Sequence, residues 1–395
     1  MMRLFDLDHH EREQLLEFLT KLVQTTSFSG QETAVAALIQ AEMERLGFPE
    51  AWMDAAGNVV GRVGAAEGPT LLIDSHMDTV EISDPAGWTI PPFEGKVQDG
   101  RLYGRGACDM KGGLAASIYG AAHLLKLGLP LKGRLLVAAV GLEEPAEGTC
   151  TRVLFEEDGL SADWVLIPEP SLLQVIRAQR GHIEMNLSVK GRSAHSATPG
   201  LGENAIYAAS RVVFGLEILA DQLAVDPFLG PGVLAVTQIS SQAVSRNAVP
   251  ERCDLFIDRR LTVGETEAQA LAEIQRIIAR EGLTASLAVI EEEVKTHTGK
   301  SYRTRRVSPP WALDEHHPLV QSMLKAVRDV GVKPVLGRWL FATEGAYTAG
   351  VAQIPTLGFG PGDPALAHTC DEFVELEQVY TAAGAYAALA ARLLK

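Results

Sequence analysis

Cysteine is scarce in this 395-residue chain and what there is lies scattered. Cys108, Cys150, Cys253 and Cys370 form no CxxC pair. That argues against a disulfide framework and against a thiolate zinc site, and it fits free thiols in a reducing compartment. Positive charge is also short: 35 Lys and Arg face 50 Asp and Glu, a formal net charge of −15. Such a balance disfavours nucleic acid and anionic membranes as partners. It leaves a small substrate open, because a local site can oppose the global field. No apolar run approaches the roughly 20 residues that span a bilayer. The N-terminal MMRLFDLDHHEREQ is polar and acidic, without a signal-peptide pattern. The expectation is a cytoplasmic protein.

What is there reads as two domains, one inserted in the other, as the length suggests. Residues 10–24 place Leu15, Leu16, Leu19, Leu22 and Val23 at helical spacing. A second helix is expected after Ser29, with Glu32 completing a capping box. Short apolar runs at Thr70–Asp74, Arg134–Val140 and Trp164–Ile167 read as buried strands, and Gly112–Leu127 as a helix. Helices alternating with buried strands predict a layered α/β domain.

From about 181 to 295 the pattern changes. Ile183, Met185, Leu187 and Val189 alternate strictly, as in a half-buried strand. A helix near 203–219, strands near 232–240 and 252–260, a helix near 266–282 and a strand near 285–294 complete a β-α-β-β-α-β order. Such a sheet leaves an edge or face open to a partner chain. Residues 295–311, polar and basic with a terminal Pro-Pro, read as a crossover. The α/β pattern then resumes with a helix near 316–330, a strand at Pro355–Phe359 and a helix near 375–393. The expected division is 1–180 and 296–395 for the large domain and 181–295 for the insert.

Five segments carry chemistry. In LLIDSHMDTV a strand ends in His76 and Asp78, which point the same way. His76 can bind a metal while Asp78 fixes its ring; the plainer alternative is a solvated strand end. In LYGRGACDMKGG, Asp109 lies in a glycine-flanked loop before a helix, which it would otherwise cap. GLEEP follows a strand with Glu143 and Glu144, sensible if one carboxylate binds metal and the other moves a proton, or else an exposed acidic turn. IPEPS fixes Glu169 between two prolines, and GFGPGDPALAHTCDE carries His368. Cys108 and Cys370, beside two of these motifs, read as small buried residues.

Four of the five segments follow strands of one sheet, where sites form in α/β folds. Nitrogen and oxygen donors without thiolate suit Zn²⁺, Co²⁺ or Mn²⁺. Five ligands serve two ions if one carboxylate bridges.

The segments SHMDTV, GRGACDMKGG, EEP, PEP and AHTCDE together resemble the M20 family of metallopeptidases and deacylases, over essentially the whole chain. The resemblance implies two divalent ions, zinc first among them with cobalt or manganese as alternatives. His76, Asp109 and Glu169 would hold one ion, and Asp109, Glu144 and His368 the other, with Asp109 bridging. It implies that Asp78 orients His76, that Glu143 is the general base and acid acting on a bridging water, and that the Asp109–Met110 peptide is cis. The insert matches the family's dimerisation domain, so a homodimer is expected. His195, in GRSAHSATPG, would reach the partner's site. Asn247 and Arg260 match positions that bind substrate polar groups, with Arg259 as an alternative to Arg260. Thr343–Glu344–Gly345 stands where many members carry Gly-Thr-Asp, which puts transfer of specificity in doubt. IRAQRGHIEM and IPTLGFGPGDPALAHTCDEFV look most like the selenium-metabolism-linked hydrolases. The implied function is hydrolysis of a linear amide in an N-acyl amino acid or small peptide. Alternatives are a dipeptidase or aminopeptidase of the same family, or a non-catalytic homologue.

Overall fold

A computed structural model describes residues 3–395. The large domain is built on a mixed nine-stranded sheet. Its strands are β1 (Glu50–Met53), β2 (Val59–Gly64), β3 (Thr70–His76), β4 (Arg134–Val140), β5 (Trp164–Ile167) and β6 (Val175–Gln179) before the insert. The small domain contributes β7 (Gly181–Lys190), β8 (Val233–Gln242), β9 (Arg252–Leu261) and β10 (Ala285–Val289) to a sheet of its own. A hairpin of β11 (Glu291–Lys295) and β12 (Ser301–Arg305) follows. The chain then returns to the large sheet as β13 (Trp311–Ala312), β14 (Leu336–Trp339) and β15 (Thr356–Gly358). The large sheet runs β1-β2-β4-β3-β5-β15-β6-β13, with β14 also on β6. β3 is parallel to both its neighbours and wholly buried, as an interior strand covered on two faces must be. Leu71 and Ile73 enter one core while Leu72 enters the other, the strand's two-residue alternation.

Helices α1 (His9–Gln24), α2 (Thr33–Arg45), α3 (Gly112–Leu127), α6 (Pro318–Asp329) and α7 (Leu376–Leu393) supply the larger of these cores. In the small domain α4 (Ala205–Ala220) and α5 (Glu267–Arg280) cover one face of a sheet ordered β8-β9-β7-β10. Among the described residues no helix is long and apolar enough to cross a membrane.

Three expectations need correcting. The capping box at the start of α2 does not form: Glu32 is the N-cap residue without a side-chain cap bond. Ser29 instead donates to Asp78 (2.6 Å), and Glu32 accepts from the backbones of Gly30 (2.9 Å) and Leu142 (3.2 Å). Both side chains are drawn towards the site, 49 and 110 residues away along the chain.

The strand near 285–294 is two strands. Alternation stops at Glu291–Glu292–Glu293, three acids that cannot line a half-buried sheet, and the chain leaves it to form the β11–β12 hairpin. The region read as a crossover is therefore mostly this hairpin. Its Val294 and Tyr302 are buried in the large domain's second core. At its tip, His297 Nε2 lies 3.1 Å from the Gly57 carbonyl and Nδ1 3.1 Å from Thr33 Oγ1, while Thr298 donates to the Ala55 carbonyl. A side chain on Gly57 would collide with the His297 ring.

Cys370 is exposed rather than buried, because its loop lies on the surface beside Asp84; Cys108 is buried as expected.

Candidate active site

β3 ends at His76 with its side chain fully buried. His76 Nδ1 donates to the backbone carbonyl of Asp78 at 3.0 Å, a partner that can only accept. A proton is thereby fixed on Nδ1, and Nε2 is the ring nitrogen turned towards the carboxylates. The Asp78 carboxylate stands farther from the ring, at 3.7 Å. It accepts instead from Ser29 Oγ and from the backbone N–H groups of Glu143 (3.1 Å) and Glu144 (3.3 Å). Asp78 thus serves two loops, the ring by its carbonyl and the Glu pair by its carboxylate.

Asp109 does not cap α3, whose N-cap is Lys111. It lies in an irregular turn, and the Asp109–Met110 peptide is cis. Its Oδ1 is 3.0 Å from His76 Nε2, and its Oδ2 is 3.2 Å from His368 Nε2. Glu169 Oε1 joins the first histidine at 3.3 Å, and Glu144 Oε2 joins the second at 3.0 Å. Two clusters result, each one imidazole and two carboxylates, with Asp109 common to both. Glu143 stands within the same group, its carboxylate close to His76 and Glu169.

The glycines explain how Glu169 is held. Side chains on Gly113 or Gly360 would run into the carbonyl of Pro168, and one on Gly360 also into that of Glu169. The Pro-Glu-Pro backbone is therefore clasped between α3 and the chain leaving β15. His368 has a positive φ of 62° and is the half-exposed member of the set.

The electrostatics are those of an anionic hole. Burial, then Asp109, pushes the Glu169 carboxyl up to about 7. Burial, then Glu344, raises Glu143 well above the usual carboxylate range. The Asp109 and Glu144 carboxylates hold the His368 imidazole up at about 10. Glu144 Oε1 is buried and has no hydrogen-bond partner. So many acids in so small a space are costly unless cations join them. Carboxylate oxygens and imidazole nitrogens facing one another are a fit donor set for divalent ions.

Two residues outside the expected set belong to this environment. Glu344, fully buried with both oxygens unpartnered, is raised well above its usual range by burial, then by Asp74 and Glu169. Glu372 pairs with Arg105 (2.5 Å) and accepts from the backbone N–H groups of Cys108 (2.9 Å) and Asp109 (3.0 Å), so it shapes the turn that presents Asp109. The adjacency of Glu372 to the His368 motif was the available signal; Glu344 had only the unusual loop sequence.

A cleft of about 360 Å³ opens on the cluster; Asp109, Glu143, Glu144, Glu169 and His368 line it together with Glu147, His182, Arg260 and Phe341. Arg260 thus shares the cleft with the His76–Asp109–His368 cluster. Arg259 points away and is buried against Glu265 (2.5 Å) and Glu273 (3.2 Å). His195 and Asn247 are exposed and lie together, Ser196 N–H donating to the Asn247 carbonyl, and neither lines the cleft of its own chain.

The family model described as Peptidase family M20/M25/M40 matches residues 72–392. The chain belongs to that family. As an M20 member it is a metal-dependent hydrolase, and the non-catalytic alternative falls away. The chain is 36% identical over 377 residues to YgeY, an uncharacterised protein of Escherichia coli strain K12, covering 95% of this chain and 93% of that one. It is 28% identical over 377 residues to the succinyl-diaminopimelate desuccinylase of Rhodospirillum centenum, covering 82% and 96%. The M20 fold is shared with the aminopeptidase PepT of Bacillus cereus, at a TM-score of 0.75 and 18% identity over 97% of this chain and 98% of that one.

Proposed function

We propose that this protein hydrolyses the linear amide of an N-acyl amino acid or small peptide, using two divalent ions. The observation that carries the reading is the division of Asp109 between two histidines. His76, Asp109 and Glu169 would hold one ion, and Asp109, Glu144 and His368 the other. Zinc is the first choice, with cobalt or manganese suited to the same donors. Such ions supply Lewis acidity, polarising a carbonyl and lowering the pKa of water.

The protein's own part is proton transfer and positioning. Glu143 takes a proton from the attacking water and returns it to the departing nitrogen. Its carboxylate lies close to His76 and Glu169, within the same cluster, which suits both steps. Asp78 keeps the His76 proton on Nδ1 and steadies the Glu143–Glu144 backbone. Arg260, which lines the same cleft, takes the substrate carboxylate.

His195 and Asn247 reach substrate from a second copy of the chain, His195 towards the oxyanion. Support for the homodimer comes from α4 and the edge strand β8, which together expose Tyr207, Phe214, Ile218, Val233 and Ile239. A cytoplasmic setting suits the free thiols.

The test is a substrate screen with zinc- and cobalt-loaded enzyme against N-acetyl, N-succinyl and N-carbamoyl amino acids. Dipeptides belong in the same screen because a fold neighbour is an aminopeptidase. Turnover of acyl amino acids above dipeptides supports the deacylase reading, the reverse order supports a dipeptidase, and no amide turnover overturns both.

A further inference from the structure

Arg260 does not stand alone in the cleft. Its Nε and Nη2 donate to the two oxygens of Asp258, at 2.9 and 3.0 Å. The remaining nitrogen, Nη1, makes no bond within the described residues. Asp258 is also 3.2 Å from His182 Nε2. His182 is the residue directly opposite Arg260 across the antiparallel β7–β9 pair, and it is buried. Its other nitrogen, Nδ1, faces Glu147 Oε1 at 3.9 Å. Glu147 belongs to the large domain, three residues beyond Glu144 in the loop that carries Glu143 and Glu144.

A charged path therefore crosses the domain junction: Glu147, His182, Asp258, Arg260. Guanidinium groups are flexible on their stems, and a two-point pair with a carboxylate removes most of that freedom. The fork that Asp258 holds on one side leaves Nη1 for an incoming carboxylate on the other. His182 contributes the second constraint, because it spans from Asp258 to the loop of the metal ligands. Side chains thus help set the distance between Arg260 and the loop of Glu143 and Glu144.

We propose that His182 and Asp258 are positioning residues for substrate recognition, aiming Arg260 at a carboxylate of the substrate and registering it against the metal loop through Glu147. This rests on the reading of Arg260 as the carboxylate-binding residue.

The experiment compares two substrates that differ only at that group, an N-acyl amino acid and its primary amide. Wild type, Arg260→Met, Asp258→Asn, His182→Gln and Glu147→Gln are each assayed with the metal content of every preparation measured. Wild type should prefer the free acid, and Arg260→Met should erase the preference. Asp258→Asn and His182→Gln should each lower the ratio of kcat/KM for acid over amide at least tenfold, mainly through KM for the acid. The double variant should lose little more than either single one, since both act through Arg260. A general structural fault would depress both substrates together and leave the ratio unchanged, which would overturn the proposal. So would a lower KM for the acid in Asp258→Asn, since Asp258 would then be a competitor for Arg260. If Arg260→Met itself keeps the acid preference, the carboxylate-binding reading fails first. If it erases the preference while Asp258→Asn and His182→Gln keep it, only the positioning role fails.

Discussion

Asp109 turns one carboxylate oxygen to His76 and the other to His368, at 3.0 and 3.2 Å. An amide at this position keeps the shape but offers one neutral oxygen and an N–H₂ that repels a cation. Asp109→Asn should therefore weaken both ion sites together. Metal analysis after dialysis should find two ions per chain in wild type and well under one in the variant. Retention of two ions would remove Asp109 from the bridging position.

Glu143 sits beside His76 and Glu169, and its proposed work is to move a proton. Glu143→Gln preserves volume and removes that capacity. The metal content should stay at the wild-type level while kcat falls by roughly 10²–10⁴. Turnover within a few-fold of wild type would show that another group does the proton transfer, and Glu344 would be the next to examine.

Gly360 has no direct role in chemistry, yet any side chain there meets the carbonyls of Pro168 and Glu169. Gly360→Ala must push the Pro-Glu-Pro segment aside. Overpacking of this kind costs about 1–3 kcal/mol, and it should also displace Glu169 from His76. The expected result is a lower Tm together with weaker metal retention in a chelator competition. Lower stability with unchanged metal affinity would mean that the clasp supports the fold alone.

Glu32 offers a pH test at the back of the site, beside Asp78 and the Leu142 loop. Burial, then Asp78, pushes its carboxyl up from 4.5 to about 7. Below pH 4.5 the group is protonated in folded and unfolded chains alike. Between 4.5 and 7 the unfolded chain ionises first, so stability falls as pH rises, by up to roughly 3 kcal/mol in all. Gln at 32 keeps an oxygen for the Gly30 and Leu142 N–H groups and does not titrate. Relative to wild type at equal metal loading, Glu32→Gln should gain stability in urea melts as pH rises from 4.5 to about 7.5. A difference that stays flat with pH would contradict the assignment.

Strand ends were legible because buried parallel strands are short apolar runs, and residues at their carboxyl ends announce themselves by breaking the run, as His76 and Glu143 do. The helices at Gly112–Leu127 and Leu376–Leu393 were legible from length and flanking turns. What stayed hidden was long-range. Ser29 and Glu32 fit a local capping rule, but a buried Asp78 and the loop at Leu142 compete for them, and burial makes those bonds worth more than a cap at the surface. Glu344 gave no sign of its depth, since loop residues are polar by default and burial is a property of the folded chain. The choice between Arg259 and Arg260 follows from strand alternation, yet which face meets the cleft depends on how the two domains lean together.

The β11–β12 hairpin bears on how this enzyme can be re-engineered. Along the chain it falls between β10 and Val307–Ser308, both of which pair with the small sheet. In space its tip is pinned to Thr33, Ala55 and Gly57, and its Val294 and Tyr302 are buried in the large domain. A chimera that swaps the small domain as one uninterrupted block would import a foreign clip into a socket shaped for His297. Residues 291–305 are better kept with the host, so that the graft is made of two pieces and the joint retains its own fastener.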